Sequence, residues 1–212
     1  IFTKKGKTGA PKVSFSSTYI NSALRKKLEV NQAPTKFGGP TDGPGALTQD
    51  IITAPLATTT TSVTRYDYQD YIFRNAAGTD NTISISGGSD KTKYYFGGSY
   101  FFNQGIINNT DFQRFSFRTN IDQIVNKWIT MNLGINYTNS AANEKPDGQS
   151  FFSPTNSITI IGNFHNIWER DANGNIKAVG ERGRVNPVSV MEDIKQKQTT
   201  NRVISNFGIK LK

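Results

Sequence analysis

The chain has 212 residues, with 25 Lys and Arg against 16 Asp and Glu, and therefore a formal net charge of +9. Only 35% of the residues are hydrophobic and the mean hydropathy is −0.51, and no window approaches the ~18 consecutive apolar residues of a membrane-spanning helix. The sequence has no cysteine, which excludes disulfide scaffolds, thiolate zinc sites and cysteine nucleophiles. Because it has a single histidine, His165, histidine-rich metal chemistry is excluded as well.

Six stretches of the chain alternate between apolar and polar residues, which is the pattern of strands whose two faces meet different surroundings. In chain order they are residues 12–19, 81–88, 93–103, 111–122, 128–138 and 199–211. The contrast is sharp in the fourth stretch, where Phe115 and Phe117 oppose Arg114 and Arg118. The alternation predicts six strands.

The connections between these strands alternate in length. Residues 89–92 and 123–127 form short polar turns, whereas the links 20–81, 104–110 and 139–198 include two very long loops. If successive strands run in opposite directions, these three links lie together at one end of the sheet, and both short turns lie at the other end. Loops beyond ~12–15 residues are uncommon in compact soluble domains. Short turns at one end, long loops at the other and strands of ~9–11 residues are typical of bacterial outer-membrane barrels.

In such a barrel the apolar face of each strand meets lipid, and the polar face meets the lumen or a plug. The predicted lipid-facing residues are Phe96, Phe115, Phe117, Met131, Leu133 and Ile135. The predicted lumen- or plug-facing residues are Arg114, Arg118, Asn120, Asn132 and Asn136.

Several motifs carry a family resemblance. Residues 1–9 (IFTKKGKTG) are similar to an end-of-plug segment, and residues 67–74 (DYQDYIFR) to an aspartate-aromatic-x-aspartate stretch that ends in Ile-Phe-Arg. The most specific stretch is residues 83–95 (ISISGGSDKTKYY), which is followed by residues 105–107 (GII) and 109–114 (NTDFQR). Together these motifs resemble the SusC/RagA-like TonB-dependent outer-membrane transporters of Bacteroidetes.

The resemblance implies a 22-stranded barrel with a folded plug in its lumen. Six strands cannot close such a barrel, so the expected fold class is all-β, a partial transmembrane antiparallel β-barrel of about six strands. We therefore expect residues 1–9 to be the end of the plug domain. Residues 10–212 are then expected to hold the first six strands, with extracellular loops 20–81, 104–110 and 139–198.

The resemblance also implies a function. It predicts TonB-dependent active import of a large nutrient, an oligosaccharide or an oligopeptide, across the bacterial outer membrane. The implied partners are a SusD-like surface lipoprotein, the TonB complex and outer-membrane lipid. The alternative from a different class is a soluble secreted β-sandwich that binds glycans or mediates adhesion, in which the apolar face would pack against a second sheet.

Aromatic residues in the long loops are the candidate ligand contacts. The predicted substrate-binding residues are Phe151, Phe152, Phe164 and Trp168, because their rings could stack on sugars or pack against a peptide. Equally, these rings could fold the loop on itself or contact the lipoprotein. The resemblance favours a structural role for the aromatics of the first loop, which are Tyr66, Tyr68, Tyr71 and Phe73.

No motif predicts catalysis, a metal site or a cofactor. The sequence lacks a Gly-x-Ser-x-Gly elbow, a His-Glu-x-x-His pair and a phosphate loop. Residues 171–175 (DANGN) resemble the start of a calcium loop, but Ile176 stands where glycine is required and Arg182 where the closing glutamate belongs. A type I′ turn at the Asn-Gly pair fits better. The positive charge is dispersed, so nucleic acid is not predicted as a partner.

Overall fold

A computed structural model describes Lys4 and residues 6–37, 60–179 and 183–211. Its elements in chain order are β1 (Gly9–Ser22), β2 (Thr35–Phe37), β3 (Thr60–Ser62), α1 (Gln69–Ile72), β4 (Ala76–Gly88), β5 (Thr92–Gln104), β6 (Asp111–Ile124), β7 (Ile129–Glu144), α2 (Pro154–Ile160), α3 (Pro187–Asp193) and β8 (Gln196–Leu211). Most of the predicted plug segment 1–9 lies within the described residues, but residues 1–3 and 5 do not.

The six long strands form one antiparallel sheet in the order β1-β4-β5-β6-β7-β8. Each of these strands therefore pairs with its neighbours along the chain, and the small antiparallel pair of β2 and β3 lies within the first long loop. The sheet is not closed, because β1 and β8 each pair on one side only. The prediction of an all-β, partial antiparallel barrel of six strands is confirmed.

The strands reach further into the long loops than the alternation predicts. Residues 139–144 were expected in a loop, yet they continue β7 and pair with residues 196–201 of β8, from Asn139 opposite Asn201 to Glu144 opposite Gln196. This part of β7 is polar or small on both faces, so it carries no alternation although its backbone ladder is complete. The loops are correspondingly shorter than expected.

One face of the sheet is apolar across all six strands, and we call it the apolar face. Directly opposed residues of an antiparallel pair project to the same side. One such row runs from β1 to β8 through Phe15, Ile83, Gly98, Phe117, Tyr137 and Val203. Large side chains on this face stay exposed, with 71% of Phe15 and 62% of Phe207 accessible. A sandwich would bury this face against a second sheet.

The most tightly buried side chains lie in the loops rather than in the sheet. Tyr68, Ile161, Ile167, Val179 and Val188 form one buried cluster. We call the surrounding described segments, residues 23–37, 60–75, 105–110, 145–179 and 183–195, the loop unit. None of the described helices is long and apolar enough to cross a membrane.

The short helices of the loop unit begin at clear sequence signals. Ser153 caps α2 by accepting from the Asn156 backbone N–H, and Asn186 caps α3 by accepting from the Val188 N–H. A proline occupies the first turn of each helix, where its missing N–H costs no hydrogen bond. These caps set where the two helices enter the buried cluster.

The Asn-Gly pair at 173–174 lies in a turn, but the type I′ prediction is wrong. That turn type needs a positive φ at both central residues. Gly174 has a φ of 85°, whereas Asn173 is not among the described residues with positive φ. The Asp171 carboxylate instead accepts from the backbone N–H groups of Asn173 and Asn175, at 2.8 and 2.9 Å. No group of three His, Cys, Asp or Glu that could hold a metal ion occurs among the residues that the structure describes.

Candidate functional site

The second face of the sheet is polar, and we call it the polar face. Arg118 lies directly opposite Asn136, and Asp122 opposite Asn132, so these side chains share one side of the sheet. Strand periodicity places on the same side all five residues that were predicted to face the lumen or plug: Arg114, Arg118, Asn120, Asn132 and Asn136. The six predicted lipid-facing residues project from the apolar face: Phe96, Phe115, Phe117, Met131, Leu133 and Ile135. Which surroundings each face meets stays a prediction.

The N-terminal segment crosses the polar face near the short turns. The Asn120 side-chain amide donates to the Lys4 carbonyl at 2.7 Å. Gly6 lies so close to the Tyr94 backbone that a Cβ at this position would collide with it. Lys4 and Gly6 therefore lie against the half of the sheet that is distant from the long loops.

A cavity of about 530 Å³ opens on the polar face. Its described lining residues include four basic residues and no carboxylate, and the basic residues are Lys4, Arg114, Arg118 and Arg202. Arg114 also lies over the Phe101 ring, with 5.7 Å between its Cζ and the ring centroid. Arg202 was not predicted as a site residue. The sequence places Arg202 on the polar side of its strand. Its position beside Arg114 and Arg118 follows only from the register of β6, β7 and β8.

The short loop 105–110 joins the long loops to each other. The Asn108 backbone N–H donates to the Ile72 carbonyl at 2.8 Å, which ties the loop to α1. The Arg74 guanidinium donates to the carbonyls of Gly105 and Thr110, at 3.0 and 2.8 Å. On the other side, the Asn109 amide donates to the Met191 carbonyl in α3 at 3.1 Å. All three links at this end of the sheet are therefore one connected structure.

Trp168, one of the predicted substrate-binding residues, packs inside the loop unit. Its ring meets those of Tyr66, Tyr68 and Tyr71 edge-on, at centroid distances of 5.6, 6.0 and 5.8 Å. The buried Tyr68 hydroxyl lies 2.9 Å from the Gly162 carbonyl and 2.7 Å from that of His165. This environment gives Trp168 a packing role, in agreement with the alternative that the aromatic residues fold the loop on itself. A contact between Trp168 and substrate stays a prediction.

The other three predicted aromatics lie in different environments. Phe151 and Phe152 are 56% and 47% exposed, and Arg184 lies over the Phe151 ring at 5.0 Å. Phe164 lines a cavity of about 750 Å³ between residues 28–36 and α2. The structure therefore does not gather the four rings into one site.

An ion-pair cluster joins the beginning of the first loop, at Lys27 and Leu28, to α1 near the end of the same loop. Lys27 Nζ contacts Asp70 and lies 3.4 Å from Asp67 Oδ2, while Leu28 and the buried Gln69 side chain exchange hydrogen bonds of 2.8 and 2.9 Å. Burial raises the pKa of Asp67, but hydrogen bonds from Gln69 and Lys27 outweigh it and leave the pKa below its ordinary value. Asp67 is therefore held as a carboxylate.

We expect the loop unit to lose stability in acid partly through Asp67. A lowered folded-state pKa gives stability that is complete above the ordinary carboxyl pKa of about 4 and is lost as the pH falls through the lower folded value. Hydrogen exchange of the α1 amides in the complete protein, followed from neutral pH to below pH ~4, measures the loss. Asp67→Asn should flatten this dependence, and an unchanged profile would contradict the assignment.

Lys145 supports the end of α3. Its ammonium donates to the carbonyls of Val190, Met191 and Ile194, at 3.0, 2.9 and 2.5 Å. Burial lowers the pKa of Lys145 below its ordinary value. Because Lys145 follows β7 directly, this contact joins the loop unit to the sheet.

Lys145→Met should loosen α3 by about 2 kcal/mol, since hydrogen bonds to a charged group are worth ~1.5–3 kcal/mol. The measurement is hydrogen exchange of the α3 amides in the complete protein. Lys195→Met is the matched control, because Lys195 is an exposed lysine close to the same helix end. Equal protection in both variants would show that the three carbonyls do not depend on Lys145.

Comparisons with known proteins give related sequences and folds, although no family model matches the chain. TonB-dependent receptor SusC of Bacteroides thetaiotaomicron is 34% identical over 122 residues, which cover 57% of this chain and 11% of that protein. TonB-dependent receptor P3 of Formosa agariphila is 25% identical over 135 residues, which cover 64% of this chain and 12% of that protein. The chain thus spans about a tenth of the length of the curated relatives it matches.

Among solved structures, the RagAB peptide importer in its closed-closed state superposes with a TM-score of 0.63 and 19% identity, over 99% of this chain and 27% of that chain. Its open-open state gives a TM-score of 0.59, again with 19% identity, over 98% of this chain. The likeness in fold covers the sheet and the loops together.

Proposed function

We propose that this chain, a SusC/RagA-like segment of a TonB-dependent transporter, is part of the barrel wall through which a nutrient is imported across the bacterial outer membrane. The observation that carries the proposal is the arrangement of the six-stranded sheet. It has an exposed apolar face, a polar face with a cavity, and the joined loop unit at one end. This arrangement suits a wall between lipid and a wet lumen.

The dimensions of the apolar face support a membrane-spanning role. On β7 its side chains run from Ile129 to Tyr137 at alternate positions. This length matches the ~9–11 residues of a transmembrane strand. In lipid every backbone hydrogen-bonding group needs a partner, so the outer edges of β1 and β8 require further strands of a closed barrel.

The proposed cargo is a large nutrient, either an oligosaccharide or an oligopeptide. The curated relatives are named TonB-dependent receptors, and the solved RagAB structures are described as a peptide importer. By the same likeness, a SusD-like surface lipoprotein is the proposed partner over the loop unit, and TonB supplies the energy.

The proposed mechanism is positioning and gating rather than bond chemistry. The lipoprotein would deliver ligand to the loop unit, whose joined loops hold their shape through Arg74, Asn108 and Asn109. The polar face would then guide the ligand past the N-terminal segment that lies against Asn120. Displacement of the plug by TonB would open the path.

Uptake by the complete protein in its own host tests this proposal. Deletion of the gene should abolish uptake of a labelled nutrient oligomer, and restoring the complete gene should recover it. Uptake should also stop when TonB is removed while the amount of protein in the outer membrane stays constant. Uptake that continues without TonB would indicate a passive channel, and recovery of the protein in the soluble fraction would favour the secreted sandwich.

A further inference from the structure

Three arginines form a ladder on the polar face. They flank β7 at successive positions of the same side, with Arg118 opposite Asn136, Arg202 opposite Thr138 and Arg114 opposite Ser140. We call these residues, Arg118, Arg202 and Arg114, the arginine ladder. At ~3.3 Å per residue along a strand, the ladder extends ~13 Å from mid-strand toward the loop unit.

The ladder has no negative partner in the part of the chain that the structure describes. The cavity it lines contains no carboxylate, and none of the three guanidinium groups forms an ion pair with a described residue. The carboxylates of Asp80, Asp122 and Glu144 share the polar face, but none of them lines the cavity. Phe101 lies between Asp80 and Arg114 in the same row, whereas Asp122 and Glu144 lie beyond the two ends of the ladder. The guanidinium groups are always charged, so the lining of the cavity is positively charged as far as the described residues show.

The N-terminal segment adds to this charge rather than cancelling it. Lys4 lines the same cavity, and its carbonyl is held by Asn120 at the end of the ladder that is distant from the loops. A solute that arrives from the loop unit therefore meets the arginines before it meets this segment. A cleft lined by one sign of charge concentrates ions of the opposite sign.

We propose that the arginine ladder binds the carboxylates of a linear anionic oligomer that enters from the loop end. This inference rests on the proposed import function and narrows its cargo to acidic oligosaccharides or acidic peptides. Each guanidinium offers several N–H donors in a geometry that fits a carboxylate. The cavity of about 530 Å³ falls within the ~300–1,000 Å³ of small-molecule sites, so it holds a few units of such an oligomer.

Binding to the complete, purified transporter tests the ladder. The probes are oligogalacturonate against its neutral methyl ester, and oligoglutamate against oligoglutamine, measured by calorimetry at two ionic strengths. We expect one acidic probe to bind at least about tenfold more tightly than its neutral counterpart, since a charge-assisted hydrogen bond exceeds the energy of a factor of ten. The preference should weaken at high salt. The tighter acidic probe identifies the oligomer as a sugar or a peptide.

Variants then locate the binding. Arg118→Gln and Arg202→Gln should each weaken binding of the acidic probe about tenfold, and Arg118→Lys should lose less because it keeps the charge. Lys12→Gln is the matched control, because Lys12 lies on the polar face opposite Ser86 but outside the cavity. It removes one charge and should leave binding unchanged.

Two outcomes would overturn the inference. Equal binding of the acidic and neutral probes would show that the ladder does not select an anionic oligomer. Lower thermal stability of Arg118→Gln together with unchanged binding would mean that the ladder pairs with carboxylates elsewhere in the transporter. In both cases TonB-dependent uptake could persist, so failure of the ladder and failure of the proposed function are distinguishable.

Discussion

Leu133→Arg is expected to lower the free energy of unfolding of the complete protein in a bilayer by about 2–4 kcal/mol. Leu133 is the middle residue of the apolar alternation on β7, which runs from Ile129 to Tyr137. It lies opposite Ile121 and Phe207, so the arginine would enter an apolar row with no negative group beside it. Denaturant unfolding from lipid vesicles, followed by tryptophan fluorescence, measures the change.

Asn132→Arg is the matched control for this variant. Asn132 is the adjacent residue but projects from the polar face, opposite Asp122 and Gly208. An arginine there stays near water and a carboxylate, so we expect a much smaller loss of stability. Similar losses in the two variants would contradict the assignment of the apolar face to lipid.

Trp168→Ala is expected to destabilise the loop unit by about 3 kcal/mol, because truncating a packed aromatic residue costs ~3–5 kcal/mol at a fully buried site. The substitution removes the edge-on contacts with Tyr66, Tyr68 and Tyr71. The expected result is faster hydrogen exchange in α1 and α2 of the complete protein. The exchange of amides in the sheet should stay unchanged.

Phe152→Ala is the comparison for Trp168. Phe152 is 47% exposed, and exposed positions without special contacts change stability by ~0.5 kcal/mol or less. If Phe152→Ala loosened the helices as much as Trp168→Ala, the packing role of Trp168 would be wrong. Reduced ligand uptake with unchanged exchange in either variant would support the original prediction of a substrate contact.

The sheet could be predicted because its two faces differ in chemistry. Alternation identified all six strands, and the residues predicted for opposite faces project to opposite sides. The strand ends could not be predicted where both faces are polar, as in residues 139–144, because backbone pairing leaves no pattern in such a sequence. The sign of the Asn173 φ angle could not be predicted either, because an Asn-Gly pair is compatible with more than one turn type.

The candidate site was less predictable, because it depends on contacts between distant segments. The arginine ladder needs the register of β6 and β8 against β7, which the sequence does not contain. Trp168 looked like a ligand contact because a tryptophan in a long polar loop has no visible partner. Its tyrosine partners lie about a hundred residues earlier, in the first loop. Charge and aromaticity thus indicated candidate residues but not their neighbours.

The lipid accessibility of successive residues on β7 tests most directly whether the apolar face lies in lipid. This chain has no cysteine, so Met131→Cys, Asn132→Cys, Leu133→Cys and Ile135→Cys each add a single labelling site to it. Any cysteine in the rest of the complete protein is replaced by serine before spin labelling. With the protein in bilayers, we expect relaxation by lipid-dissolved oxygen at residues 131, 133 and 135, and little at residue 132. Uniform relaxation along the strand, or the reverse alternation, would contradict a barrel wall with its apolar face in lipid.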